Sequence, residues 1–176
     1  MNSYAGAEGI PASAGQKVLL ACLDAAHERL GRNCITQLQG QLWDHDPTEV
    51  VAWSFARLGS PTCRLLATMD ATEAHSIVVA AAGPQALPDD VKGWLEQWPV
   101  RPQGMPGALI TVLSDTPPEN AARWPNHSLL HKTATRCGLE YHLYASGLPP
   151  DANVPLTRSS TQRPRSNRRP EPLLAA

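Results

Sequence analysis

The strongest pattern in the chain lies between residues 75 and 114. SIVVAAA, Ser76 to Ala82, is apolar after its first residue and closes on Gly83-Pro84. A run this short and unbroken suits a strand covered on both faces, where polar alternation is not needed. Ala108 to Leu113 repeats it between Gly107 and the turn-forming Ser114-Asp115-Thr116-Pro117-Pro118. Between the two, Val91, Trp94, Leu95 and Trp98 fall on one helical face. Asp89 and Asp90 sit in the first turn, where negative charge meets the helix dipole, and Pro99 disfavours helix at Trp98. The two indoles read as core packing against a sheet. Strand, helix and strand together predict a crossover between parallel strands.

The rest of the chain gives further copies of this unit. Val18 to Leu23 is a continuously apolar first strand, and Asp24 is placed to cap the helix that follows. In that helix Ala26, Leu30, Cys34, Leu38 and Leu42 recur every four residues, with Ile35 beside them and Gly31 and Gly40 weakening it. Residues 43–49 form a polar turn. Val51, Trp53 and Phe55 then alternate with Ala52, Ser54 and Ala56, which predicts a second strand with one better-covered face. Ser60-Pro61 starts a second helix, for which Leu65, Leu66 and Met69 supply the apolar side. After the fourth strand, a loop over 115–125 precedes a helix capped by Asn126 or Ser128, with Leu129, Leu130, Ala134 and Cys137 on one face. Gly138 stops it, and Leu139 to Ser146 alternates as a fifth strand.

Five strands alternating with four helices predict an α/β protein built on a parallel sheet. Strands one, three and four are continuously apolar, whereas two and five alternate. Edge strands tolerate alternation and central parallel strands do not, so the predicted order is 2-1-3-4-5 in a three-layer, doubly wound arrangement. The domain spans 17–148. Residues 1–16 are small and polar, residues 149–176 turn to Pro, Ser, Thr and Arg, and both ends are expected to be disordered.

Composition narrows the setting. The 176 residues are 42% hydrophobic and 18% charged, which suits a globular domain, and the formal net charge of −1 gives no field that would recruit nucleic acid or anionic membrane. Residues 151–176 nevertheless carry five arginines against Asp151 and Glu171, a net +3. That tail offers a weak, salt-sensitive contact to nucleic acid or an acidic partner, without aromatic residues to stack bases. The four cysteines, Cys22, Cys34, Cys63 and Cys137, show no CxxC spacing and read as free buried thiols. With no signal peptide and no membrane-spanning stretch, the expected compartment is the cytoplasm.

In a sheet of this order, ligands sit beyond the carboxyl ends of the strands, at the switch between strands one and three. The candidate cleft there is made of Asp24, His27, Gly83, Gln85, Ser114 and Asp115. Asp24 and His27 could form an acid–base pair, or could simply cap and begin a helix. Ser114 lacks the GxSxG elbow and has no base that the sequence identifies. His127 and His131, four apart, lack the HExxH pattern and a third ligand, and read as solvated surface residues. Asp44-His45-Asp46 reads as turn chemistry rather than a metal site. No metal site and no cofactor is assigned.

With Asp24 after strand one and Ser114 after strand four, the architecture resembles that of two-component receiver domains. That family also needs a phosphoacceptor Asp ending strand three and a Lys ending strand five. Gly83-Pro84 holds the first place, and the lysines are Lys17, Lys92 and Lys132, so phosphotransfer is not expected. The arrangement is also similar to flavodoxins, whose first loop cradles a phosphate. Here that loop is DAAHE, and Asp24 would repel one. No GxGxxG or GxxxxGK[ST] occurs. The WLEQW helix, Gly107-Ala108-Leu109 and the strand after Gly138-Leu139 are similar to uncharacterised bacterial proteins, a resemblance that brings no activity with it.

Two readings of function follow. One is a non-enzymatic, pseudo-receiver-like regulatory module acting through a protein partner or a homodimer, with a surface near strands four and five that includes Tyr144. The other is a small-ligand-binding protein or enzyme using the strand-end cleft. The missing phosphate and nucleophile motifs put the first in front.

Overall fold

A computed structural model describes residues 16–42, 49–102, 105–151 and 156–159. The strands are β1 (Lys17–Cys22), β2 (Glu49–Ser54), β3 (Ser76–Ala82), β4 (Ala108–Ser114), β5 (Glu140–Ala145) and β6 (Thr157–Arg158). Between them lie α1 (Ala25–Gln37), α2 (Phe55–Leu58), α3 (Pro61–Glu73), α4 (Asp89–Glu96) and α5 (His127–Cys137), with a 3-10 segment at Pro118–Arg123. The sheet order is β2-β1-β3-β4-β5-β6. The first five strands are parallel and β6 is antiparallel to β5, pairing Tyr144 with Arg158 and Ala145 with Thr157. The predicted order is therefore present with one strand more, in a stretch read from sequence as tail. Two residues of strand carry no periodicity from which to predict it.

All seven residues of β3 and all seven of β4 are buried, as their unbroken apolarity requires. One face of the sheet packs Val18, Leu20, Val78, Ile110 and Val112 against Leu30, Cys34 and Ile35 of α1. The other packs Leu19, Ile77, Val79, Leu109 and Leu143 against α2, α3, α4 and α5. Trp94 and Trp98 lie in this second layer, ring centroids 4.9 Å apart and nearly perpendicular. Gly138 takes the left-handed conformation that stops α5, at φ 71°. Asp44-His45-Asp46 and the two chain ends fall outside the described residues.

Three expectations need correction. In α3, Leu65, Leu66 and Met69 are exposed, and Ala67 and Ala71 face the core instead. The bulk of that layer comes from the Trp94 and Trp98 indoles, Phe55 and Leu58, which leaves α3 a shallow berth suited to alanine. Second, β5 does not keep an exposed face. His142, Tyr144 and Ser146 are buried: the Arg158 side chain lies against His142, and Leu156 packs on the cluster that holds Tyr144, so the alternating residues are not in solvent contact. Tyr144 is therefore not part of an exposed partner surface. Third, α1 ends at Gln37 and Leu38 is its cap, so the stripe does not continue helically to Leu42.

Gly31, read as a weak point of α1, has a packing role. A Cβ at this position would stand 2.4 Å from Leu20 Cδ1, so the glycine lets α1 lie directly on β1. At the amino edge of the sheet, Lys17 Nζ bridges Asp70 and Glu73 at 2.9 and 2.8 Å, and Trp53 Nε1 donates to Asp70. These contacts tie β1 and β2 to α3. Gly31→Val is expected to lower stability by about 1–3 kcal/mol through overpacking, whereas the exposed Leu66→Gln should stay within about 0.5 kcal/mol. Urea denaturation of both variants checks this, and equal losses would mean that α3 is buried as the sequence suggested.

Candidate functional site

At the carboxyl edge of the sheet, the chain leaves β1 through Leu23 and enters α1 at Asp24. Asp24 is extended (φ −155°), and its Oδ1 accepts the backbone N–H of His27 at 3.0 Å, a side-chain cap on α1. The same oxygen lies 2.7 Å from His27 Nδ1. These bonds, first the backbone N–H and then the ring N–H, hold the Asp24 carboxyl below its ordinary value. One helical turn thus presents the imidazole inward while the carboxylate stays at the surface, His27 buried and Asp24 exposed.

β4 delivers the other half. Ser114, its last residue, is fully buried, and its Oγ stands 3.1 Å from His27 Nε2. Asp115 has a positive φ of 52°, a conformation that aspartate adopts more readily than most residues. Its backbone N–H donates to the Leu148 carbonyl, and its Oδ2 receives the Ser114 hydroxyl at 2.7 Å. The result is one continuous hydrogen-bonded run: Asp24, His27, Ser114, Asp115. A surface carboxylate stands at each end of a buried histidine–serine pair.

Proton counting shows what the run can do. An ionised Asp24 only accepts, so Nδ1 carries a proton. If Ser114 donates to Asp115, then Nε2 must donate to Ser114 and the ring carries both protons. If Ser114 instead turns to donate to Nε2, the ring is neutral and the proton belongs to Asp115. Passing that proton between Nε2 and Asp115 takes two transfers in concert, Nε2 to Oγ and Oγ to Oδ2, each across a hydrogen bond already in place. Ser114 is here a link rather than a nucleophile, since it is wholly buried and held between two partners.

Of the six residues predicted for the site, these four converge. Gly83 forms its floor: its N–H donates to the Ser114 carbonyl at 2.9 Å, and a Cβ there would fall 1.4 Å from Thr116 Oγ1. The space between β3 and β4 is filled by Thr116. Gln85 is exposed and engaged through its carbonyl, which accepts Trp124 Nε1–H at 2.8 Å. What sequence reasoning missed is the base beside Ser114. His27 is 87 positions away, and only the passage of α1 across the sheet brings the two together.

The paired histidines of α5, expected to be solvated, instead pack against an aromatic ring, and His127 is half-buried. His127 and His131 stack at 6.2 Å, and each meets the Tyr141 ring edge at 5.5 Å. Burial, then the neighbouring His131, pushes His127 below its ordinary value. Among the described residues, no group of three or more His, Cys, Asp or Glu is placed to hold a metal ion. No described helix is long and apolar enough to cross a membrane.

No family model matches the chain, and no curated protein matches it. Among solved structures it is similar to the NAD(P)H:quinone oxidoreductase from Methanothermobacter marburgensis, with a TM-score of 0.51 at 11% identity. The likeness covers 80% of this chain and 89% of that one. The fold is flavodoxin-like. This finding overturns the reading of the chain as a non-enzymatic, pseudo-receiver-like module, and with it the leaning away from an enzyme.

Two stability effects follow from the run. Ser114→Ala leaves buried His27 Nε2 without its hydroxyl partner and is expected to cost about 1–3 kcal/mol in urea denaturation. Asp24 has a lowered folded pKa, so its stabilisation is present above its unfolded value and lost as pH falls through the folded one. The thermal advantage of the wild type over Asp24→Asn should therefore shrink as pH drops below about 4. A pH-independent gap would show that the carboxylate charge contributes nothing.

Proposed function

We propose that this chain is a small-molecule enzyme working at the carboxyl ends of β1 and β4, with the run from Asp24 to Asp115 as its acid–base group. The observation that carries this is the run itself, in which exposed carboxylates feed a buried imidazole within hydrogen-bond reach at every step. The substrate class it suits is a neutral carbonyl compound of quinone type. Beside the two surface carboxylates an uncharged substrate is favoured over an anionic one, and the phosphates of a nicotinamide donor would lie away from them. Reduction of a carbonyl oxygen also requires a proton at the oxygen as electrons arrive. Oxidoreductase chemistry is the reaction class of the structurally similar NAD(P)H:quinone oxidoreductase.

A phosphate-anchored cofactor does not fit the β1–α1 loop. The position a phosphate would take at the start of α1 is held by the Asp24 carboxylate, which already accepts the His27 N–H. The cytoplasm is the compartment that fits best, supported by four free cysteines, three of them buried.

The test is reduction of menadione by reduced nicotinamide cofactors, followed by nicotinamide absorbance. The wild type is expected to turn over, and His27→Gln to lose about 10²-fold in kcat, with KM changed much less. Wild-type protein that consumes no reduced nicotinamide with menadione would overturn the oxidoreductase class. A His27→Gln variant that is folded by circular dichroism and fully active would overturn the acid–base role.

A further inference from the structure

Three of the six exposed large apolar side chains among the described residues lie on one helix. They are Leu65, Leu66 and Met69 of α3, which are 64%, 48% and 54% exposed. With Thr62 and Glu73, both exposed, they recur at i, i+3, i+4, i+7 and i+11, a single face turned away from the Ala67 and Ala71 that meet the core. Adjacent apolar side chains rimmed by polar ones mark an interaction site, as a scattered leucine does not.

The two ends of this face differ in charge. At its start Ser60 gives no side-chain cap and no acidic residue stands in the first turn, so the N–H groups there leave the positive end of the helix dipole open. Arg57, three residues before Ser60 and 4.7 Å over the Trp53 ring, adds a positive charge, while Arg64 is matched by Asp90. At the other end no basic residue stands in the last turn. Lys17 there faces two carboxylates, Asp70 and Glu73, which leaves an excess of negative charge. Lys17 Nζ meets Glu73 Oε2 at 2.8 Å, yet the Glu73 side chain remains 65% exposed. A face that is apolar at its centre, positive at one end and negative at the other complements itself when turned end for end.

We infer that this face binds a second copy of the chain, α3 against α3 and antiparallel, about a two-fold axis between Leu66 and Met69. Such an axis sets Leu66 over Met69 of the second copy and, in the same register, Glu73 over its Thr62, each contact made twice. Glu73 then lies at the open first turn of the facing helix, where a carboxylate is favoured. A parallel pairing would set Glu73 on Glu73 and bring two positive helix ends together. The 13 residues of α3 give about 20 Å of helix, a short interface. The pair is therefore weak, with a dissociation constant of about 10–100 μM, and a denaturation experiment at lower concentration reads the monomer. The face is independent of the reading given for the strand ends, since it shares no residue with the run from Asp24 to Asp115.

Sedimentation equilibrium of the full chain, over about 1–500 μM, tests this. The wild type is expected to pass from monomer to dimer, and Leu66→Gln to associate at least tenfold more weakly. Thr62→Glu adds a carboxylate that suits its own helix start but faces Glu73 of the second copy, and should weaken association at least fivefold. Adding Glu73→Lys to Thr62→Glu makes the facing charges opposite and should recover most of that loss. Circular dichroism confirms that each variant is folded. A wild type that stays monomeric throughout, as it would if residues 1–15 or another protein took this face, overturns the proposal. So does a Leu66→Gln variant that associates like the wild type. Unchanged association in Thr62→Glu, or no recovery in the double variant, overturns the antiparallel pairing.

Discussion

Double-sided burial of β3 and β4 is the constraint on which the rest of this molecule depends. Every residue of both strands is covered, so neither can lie at an edge and each needs a helical layer above and below. Their neighbours follow from that: β1 beside β3, β5 beside β4, and β2 outermost at one side. Parallel strands end together, so the turns after β1, β3 and β4 share one edge. A site assembled from Asp24, Gly83 and Ser114 is possible because three apolar runs far apart in sequence stop at the same level.

That edge then has to solve a problem of buried polarity. His27 faces inward because Asp24 caps α1 one turn earlier, and Ser114 is swallowed because β4 is fully covered. Either group alone would be a costly unpaired polar atom. Together, with a carboxylate at each end, they satisfy one another and connect two points of the surface. The backbone at Asp115 supports this by taking a positive φ, which turns its carboxylate back toward the serine that precedes it. Such local strain, held by the Leu148 and Ser146 carbonyls, is found at functional sites more often than elsewhere.

The two faces show how volume, not apolarity alone, decides packing. On the four-helix face, indoles and Phe55 occupy the depth, so α3 presents Ala67 and Ala71 and leaves Leu65, Leu66 and Met69 outside. On the single-helix face the opposite holds: Gly31 lets α1 come close to Leu20, and beyond its last turns a polar-lined space opens over Tyr144. A hydrophobic stripe in the sequence identifies a helix's apolar side, but a smaller residue wins the interface wherever the sheet's own side chains and neighbouring helices have filled it.

The sequence by itself determined the first five strands and their order, four of the helices and the cap at Asp24, but it carried Phe55 and Ala56 into β2, where the chain is already helical as α2. Each correct element rests on local periodicity or on the burial that an unbroken apolar run demands. It also named four residues that meet at the strand ends, since topology alone fixes which turns share an edge. Only the tertiary structure decided that His27 is the base beside Ser114, that Thr116 fills the space next to Gly83, and that β6 covers β5. Those facts depend on distances across 87 residues of chain, or on side-chain volume within a few ångströms, and neither leaves a period in the sequence.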